Sequence, residues 1–256
     1  MIFDAHVHPF PNFFSPVKMT APGSELDAPE KLEALMAAEG IDGCLLLARD
    51  GDTLEHFLGR IPGAYGLFWT APRPSPGSRY SSFVEETAHW LEHPKIVGIK
   101  LHPLVDAFDP SSRMLDGLYA LSVERHVPIL FHTGHEFGSL AWPIEVAARR
   151  HPRARFVLGH MGLSTLEYVD GAIEVASRNP NLFLETSGMP FTWKIKQAVE
   201  ELGESRVMYG SDAPFFTPQL ELEKVRLAGL NERQLARVLA ANAIDLFLNG
   251  TPPPSA

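Results

Sequence analysis

Two histidines one residue apart, His6 and His8, close a short apolar run near the start of the chain, Phe3-Asp4-Ala5-His6-Val7-His8-Pro9. In a β-strand alternate side chains share a face, so both imidazoles would point to one place. Neutral imidazole is the commonest protein ligand for a divalent metal, and a His-x-His strand end is a good start on such a site. Taken alone, the pair also reads as two half-exposed histidines near a terminus. Later apolar runs end in the same way. One ends on Lys100-Leu101-His102-Pro103, the next on His132-Thr133-Gly134-His135 and another on His160-Met161-Gly162. The last two end on Glu185-Thr186-Ser187-Gly188 and Ser211-Asp212-Ala213-Pro214. One polar strand end is ordinary loop chemistry. Six such ends among eight runs point to one shared site.

For those ends to meet, the elements behind them must be laid out in parallel. Apolar runs that read as strands cover 3–8, 41–48, 64–69, 96–102, 128–132, 155–160, 182–185 and 207–212. Amphipathic stretches that read as helices follow them at 30–39, 52–60, 81–93, 112–125, 140–150, 165–178, 195–202 and through most of 220–248. Eight strand-then-helix units in about 250 residues is the rhythm of a (β/α)8 barrel, whose active site lies at the C-terminal ends of its strands. The runner-up is an open doubly wound sheet. That fold usually follows its first strand with a glycine-rich phosphate turn, and here the turn is His8-Pro9-Phe10-Pro11. The expected organisation is a single barrel over 1–250 with a loose tail, 251–256, and a Pro/Phe/Asn loop over 9–22.

Composition narrows the partners. The 256-residue chain is 45% hydrophobic and 21% charged, ordinary for a soluble globular protein, and its formal charge is −9. That balance argues against nucleic acid or an anionic membrane as a partner, and leaves small-molecule substrates, anionic ones included. The single cysteine, Cys44, lies in Cys44-Leu45-Leu46-Leu47 and reads as a buried small hydrophobe. The start of the chain has no basic segment leading into an apolar one, so a cytoplasmic location is expected. A homo-oligomer stays open.

The set His6-x-His8, His132, Gly159-His160 and Gly210-Ser211-Asp212 resembles the metal-dependent amidohydrolase superfamily. The phrases Gly98-Ile99-Lys100-Leu101-His102-Pro103 and Tyr209-Gly210-Ser211-Asp212-Ala213-Pro214, with Asn242-Ala243 ahead of Leu246-Phe247, are similar to its amidohydrolase-2 branch. That is the branch with aminocarboxymuconate-semialdehyde decarboxylase-like members. The resemblance runs from His6 to Phe247. It implies a divalent metal, zinc foremost, and either hydrolysis of a C–O or C–N bond or non-oxidative decarboxylation.

The resemblance also implies roles. His6, His8 and His132 would be nitrogen ligands, and Asp212 an oxygen ligand that takes the proton of an attacking water. His160 would hold a second metal or polarise the substrate carbonyl. Lys100, if carboxylated, would bridge two metals. As a plain ammonium it would repel a nearby dication and suit a substrate carboxylate instead. One metal per chain is the preferred expectation over two. Arg49 and Arg73, after the second and third strands, are candidate clamps for a substrate carboxylate. His102 and His135 are candidate substrate contacts, and Glu185 could orient a metal histidine. His56, His89, His93, His126 and His151 fall in or just after helices and read as bystanders. The expected reaction is attack of metal-activated water on a lactone, ester or amide of a small, carboxylated molecule. A decarboxylase with the same ligands is the alternative, and a non-catalytic metal-binding barrel the alternative of another class.

Overall fold

A computed structural model describes residues 1–9, 26–75, 77–136, 138–163 and 165–250; most of the loop expected at 9–22, and the tail 251–256, lie outside them. Eight strands run in sequence order round one sheet: β1 (Phe3–Val7), β2 (Gly43–Ala48), β3 (Ala64–Trp69), β4 (Ile96–Leu101), β5 (Ile129–His132), β6 (Phe156–Gly159), β7 (Leu182–Glu185) and β8 (Val207–Met208). Each is parallel to the next. Backbone bonds close the ring between its two ends. Ala5 N donates to Tyr209 O (3.1 Å), Asp212 N to His6 O (2.7 Å) and His8 N to Ala213 O (2.7 Å). This is the (β/α)8 barrel expected from the sequence.

Helices cover the outside: α1 (Pro29–Glu39), α2 (Gly51–Arg60), α3 (Phe83–Trp90), α4 (Pro103–Asp106), α5 (Asp116–Glu124), α6 (Ala141–Arg150), α7 (Leu166–Ser177), α8 (Thr192–Leu202), α9 (Pro218–Arg226) and α10 (Glu232–Ala236). Strands covered on both sides need apolar residues on both, which is why β2 and β3 read as unbroken apolar runs. The barrel lumen is filled by Phe3, Ala5, Leu45, Leu47, Leu67, Leu130, Val157, Phe183 and Met208, joined by Leu246 and Phe247 of the C-terminal helical stretch. Gly98 in β4 leaves room for Phe247, since a Cβ there would sit 3.1 Å from its ring. Among the described residues, no helix is long and apolar enough to cross a membrane.

Six strands are shorter than the apolar runs suggest, and two of the differences at C-terminal ends bear on the site. β4 stops at Leu101 because Pro103 opens the short helix α4, with His102 as its N-cap. β8 stops at Met208, and Asp212 takes a left-handed backbone (φ 56°) beyond it. Left-handed non-glycine residues are uncommon, although aspartate and histidine tolerate them better than most. His160, just past β6, has φ 68°. Two of the candidate functional residues thus sit on turned backbone rather than in regular strand.

Candidate metal centre

The site begins with an irregularity in β1. Asp4 pairs with Cys44 and Val7 with Leu46, so three steps on β1 face two on β2. The extra residue is a β-bulge, and it changes which side chains face inward. Phe3 and Ala5 point into the lumen, whereas Val7 packs outward against Leu32 and Met36 of α1. Past the bulge the even-numbered residues turn in, so His6 and His8 reach the mouth of the barrel above an apolar floor.

There the ligand atoms of His6, His160 and Asp212 lie within 4.8 Å of one another, all three buried. His8 joins them through Asp212: its Nε2 is 3.1 Å from Asp212 Oδ1, and that of His6 is 3.4 Å away. The other ring nitrogen of each histidine is spoken for. His6 Nδ1 donates to Glu185 Oε2 (2.8 Å), His8 Nδ1 to Leu47 O (3.3 Å), and His160 Nδ1 to Ser187 Oγ and O (2.8 and 3.2 Å). Carboxylate and carbonyl oxygens only accept, so in the neutral rings the proton sits on Nδ1 and Nε2 carries a lone pair. Bare nitrogens facing an anionic oxygen at 3.1–3.4 Å repel unless a cation lies between them. The donor set therefore fits a divalent metal, with outer partners fixing each ring as metal-binding histidines require.

The electrostatics agree. Burial, with Lys100 adding to it, pushes the His6 and His132 imidazoles well below their ordinary range, and His160 is lowered chiefly by burial. All three are neutral near pH 7, the state a metal needs. Burial works against the charge of Asp212; protons on the surrounding His6, His8 and His160 rings would hold its carboxyl well below the usual carboxylate range, and with those rings neutral a bound cation would take that part. Lys100 is pushed down to about 8 by burial, and its Nζ lies 3.4 Å from His6 Nε2. Gly210 makes the inner packing possible, because a Cβ there would fall 2.3 Å from Glu185 Oε1 and 2.9 Å from His6 Cβ.

His132 lies one ring further out than the sequence suggests. Its Nδ1 is 3.0 Å from His160 Nε2 and its Nε2 is 2.7 Å from His135 Nδ1, so His160 rather than His132 completes the tight group with His6 and Asp212. His132 instead belongs to a stack of rings. Its ring lies 3.8 Å from that of His102, nearly parallel, and His102 in turn stacks on Trp69 at 5.4 Å. These rings, with Leu163, Phe215 and Phe216, line a cavity of 420 Å³ that has Lys100 and Asp212 at its polar end.

Among the described residues that line the cavity, Arg49 and Arg73, the candidate substrate clamps, do not figure. Both turn to Asp106 at the end of α4. Arg49 Nη2 pairs with its carboxylate, and Arg73 reaches Oδ1 (3.4 Å) and the backbone oxygen (3.1 Å). Trp69 Nε1 donates to the other carboxylate oxygen (3.0 Å), and the Arg49 guanidinium lies 4.4 Å over the Trp69 ring. The cause is charge. Asp106 is buried, and a buried carboxylate draws the nearest cations. Sequence reasoning missed Asp106, which carries no signal in its local pattern. It also passed over Asp4, where an ionisable residue inside a buried apolar run was a visible anomaly.

An eight-stranded parallel barrel with imidazole and carboxylate donors converging at the C-terminal ends of its strands defines a metal-dependent barrel enzyme. The chain belongs to the amidohydrolase family, whose model matches residues 3–248. It is a hydrolase- or lyase-type enzyme, and the family implies a divalent metal. A stretch of 114 residues is 30% identical to gamma-resorcylate decarboxylase of Rhodococcus jostii (strain RHA1), covering 38% of this chain and 35% of that protein. An uncharacterised TIM-barrel protein, Bb4693 of Bordetella bronchiseptica, superposes with a TM-score of 0.75 at 19% identity, covering 97% of this chain and 99% of the other. A putative 2-pyrone-4,6-dicarboxylic acid hydrolase from Pseudomonas putida superposes at 0.69 with 17% identity, over 96% and 97% of the two chains.

Proposed function

We propose that the chain hydrolyses a lactone, ester or amide bond of a small organic acid, with one zinc ion held by His6, His8, His160 and Asp212. The observation that carries this reading is the convergence of His6, His8 and His160 on the buried Asp212 carboxylate, with Nε2 of His8 and of His6 3.1 and 3.4 Å from its Oδ1. A carboxylate at the edge of such a donor set is placed to take the proton of an attacking water. The bound ion supplies Lewis-acid polarisation and lowers the pKa of water. Asp212 accepts the proton and returns it to the leaving group. Lys100, still protonated at pH 7, attracts the acidic substituent of the substrate, and Leu163, Phe215 and Phe216 pack against its body. Three imidazoles and a carboxylate suit zinc.

A specific observation favours non-oxidative decarboxylation as the second reading. The exposed surface of the cavity is mostly apolar, with Leu104, Val105, Leu163, Phe215 and Phe216 in its walls, and an apolar slot disfavours a localised carboxylate more than the dispersed charge of CO₂ loss. The partial similarity to a resorcylate decarboxylase points the same way. Turnover of a panel of lactones and hydroxylated aromatic acids in ¹⁸O-water separates the two. Hydrolysis places label in the product and releases no CO₂. Release of CO₂ without label overturns the first reading. Elemental analysis is expected to show one zinc per chain, unchanged in Lys100→Ala. Two metals, with one lost in that variant, would mean a carboxylated Lys100 instead.

A further inference from the structure

Asp4 is fully buried in the strand that carries the two leading histidines, and the proposed chemistry does not use it. Alternation along β1 puts its side chain opposite Phe3 and Ala5. One of its oxygens, Oδ1, accepts two backbone N–H groups: that of His6 at 3.1 Å and that of Ser211 at 2.9 Å. The first lies inside the bulge of β1. The second belongs to the residue before Asp212, on the far side of the seam where the barrel closes. Among the described residues the other oxygen, Oδ2, has no hydrogen-bond partner.

We propose that Asp4 is a positioning residue of the metal centre, its Oδ1 setting the spacing of His6 from Asp212 by tying both backbones to one atom. The inference rests on the metal reading above.

The reasoning is geometric. A bulge inserts one unpaired residue and leaves a backbone N–H without its ladder partner. In β1 that donor is satisfied by the carboxylate two residues earlier, which stabilises the bulged form against regular pairing. A regular β1 would turn His6 to the outside, because a one-residue slip changes the face of every later side chain. Across the seam, Asp212 sits at φ 56°, a conformation that needs support from its surroundings. The bonds Ser211 N to Asp4 Oδ1 and Asp212 N to His6 O supply two successive anchors there. One oxygen thus holds both ligands' chain segments, across a bond between residues 207 apart in sequence.

The test compares Asp4→Ala with Asp4→Asn in the full chain. Zinc affinity is read by competition with a chromophoric chelator, and ligand geometry by the visible spectrum of the cobalt-loaded protein. Asp4→Ala removes the acceptor and strands two buried donors. Its zinc affinity should fall roughly 10–100-fold, as for the loss of other groups that orient metal ligands, with a changed cobalt spectrum. Asp4→Asn keeps the accepting oxygen, so its affinity and cobalt spectrum should stay near those of the parent even though its melting temperature drops. A purely structural Asp4 would lower the melting temperature of both variants and leave zinc affinity and cobalt spectrum untouched, which overturns the proposal. Equal loss of zinc in both variants also overturns it, because charge rather than the shared acceptor would then matter. If Asp4→Ala does not fold, Asp4→Thr, whose hydroxyl reaches only one of the two donors, replaces it. A partial loss of zinc supports the proposal and parental affinity overturns it. A parent protein that takes up no divalent metal overturns both this proposal and the metal reading. A parent that binds zinc no better than Asp4→Ala overturns this proposal alone.

Discussion

Two buried carboxylates organise the two walls of the cavity, and they do opposite things to the residues around them. Glu185, at the end of β7, accepts from His6 Nδ1, from Ser187 Oγ (2.9 Å) and from the backbone N–H of His160 (3.2 Å). Its ring partner is an imidazole, so the bond fixes the proton on one nitrogen and leaves the other ready for a metal. Asp106, at the end of α4, accepts from Arg49, Arg73 and Trp69. Two of its partners are permanent cations, so the same kind of bond spends their charge inside the protein wall. A carboxylate behind a histidine prepares it for work, and a carboxylate behind an arginine withdraws it. Sequence position alone gives His6 and Arg49 equal standing as strand-end candidates. What separates them is the acidic group each one meets.

The largest expected effect sharpens the first half of that comparison. Asp212→Asn keeps the size and one oxygen ligand but removes the proton acceptor. Steady-state kinetics on a substrate found by panel screening should show kcat lower by about 10²-fold or more, within the usual range for a lost general base. Zinc content should stay near one per chain. Near-normal turnover with metal retained would remove Asp212 from proton transfer.

Glu185→Gln strikes the hub itself. An amide can still accept on one oxygen, but its NH₂ must then face a donor. Titration against a chelator should show zinc bound about 10–100-fold more weakly. The contrasting variant is Asp106→Asn. It unpairs a buried, heavily bonded acid from one half-buried and one exposed arginine. Urea denaturation should show a stability loss of about 1–3 kcal/mol, less than for a fully buried pair because Arg73 is largely in water. Zinc affinity should hardly change. Comparable zinc loss in the two variants would erase the distinction between the walls.

Much of this architecture is written in local pattern. Ala64–Trp69 and Leu182–Glu185 are strands with the same limits in sequence and in structure, because buried parallel strands must be continuously apolar. The convergence of His6, His8, His160 and Asp212 follows from strand order once the barrel is recognised. The remainder is not local. A bulge adds one residue without disturbing composition, and His6 and His8 keep their spacing whether or not it is there. The diversion of Arg49 and Arg73 depends on a partner 57 residues from one and 33 from the other. Of the two candidate ligands His132 and His160, the one that joins the tight group with His6 and Asp212 is His160, a choice no spacing rule encodes.

The smallest effect concerns pH, and it compares the histidine-rich mouth with the acid beneath it. His6, His102, His132 and His160 all have imidazoles lowered in the folded protein, burial being the largest cause for each. Below about pH 6.5 the unfolded chain binds protons on these histidines while the folded chain does not, so stability falls as pH falls. Asp4 has the opposite sign, since burial pushes it up to about 7. Between there and the usual carboxylate range the folded protein holds the extra proton, and acidification favours folding through this one group. Lys100, lowered to about 8, acts only in alkaline solution, where stability rises with pH between about 8 and 10.5. Five lowered histidines, His135 among them, against the two raised acids Asp4 and Glu221 leave a net loss of stability between pH 6.5 and 5. Thermal melts of metal-free protein should therefore show Tm declining steadily across that interval. In Asp4→Asn one of the two opposing acids is gone, so the decline should be steeper. A flat Tm from pH 7 to 5 in the metal-free protein would mean that the imidazoles at the mouth are not held neutral by burial.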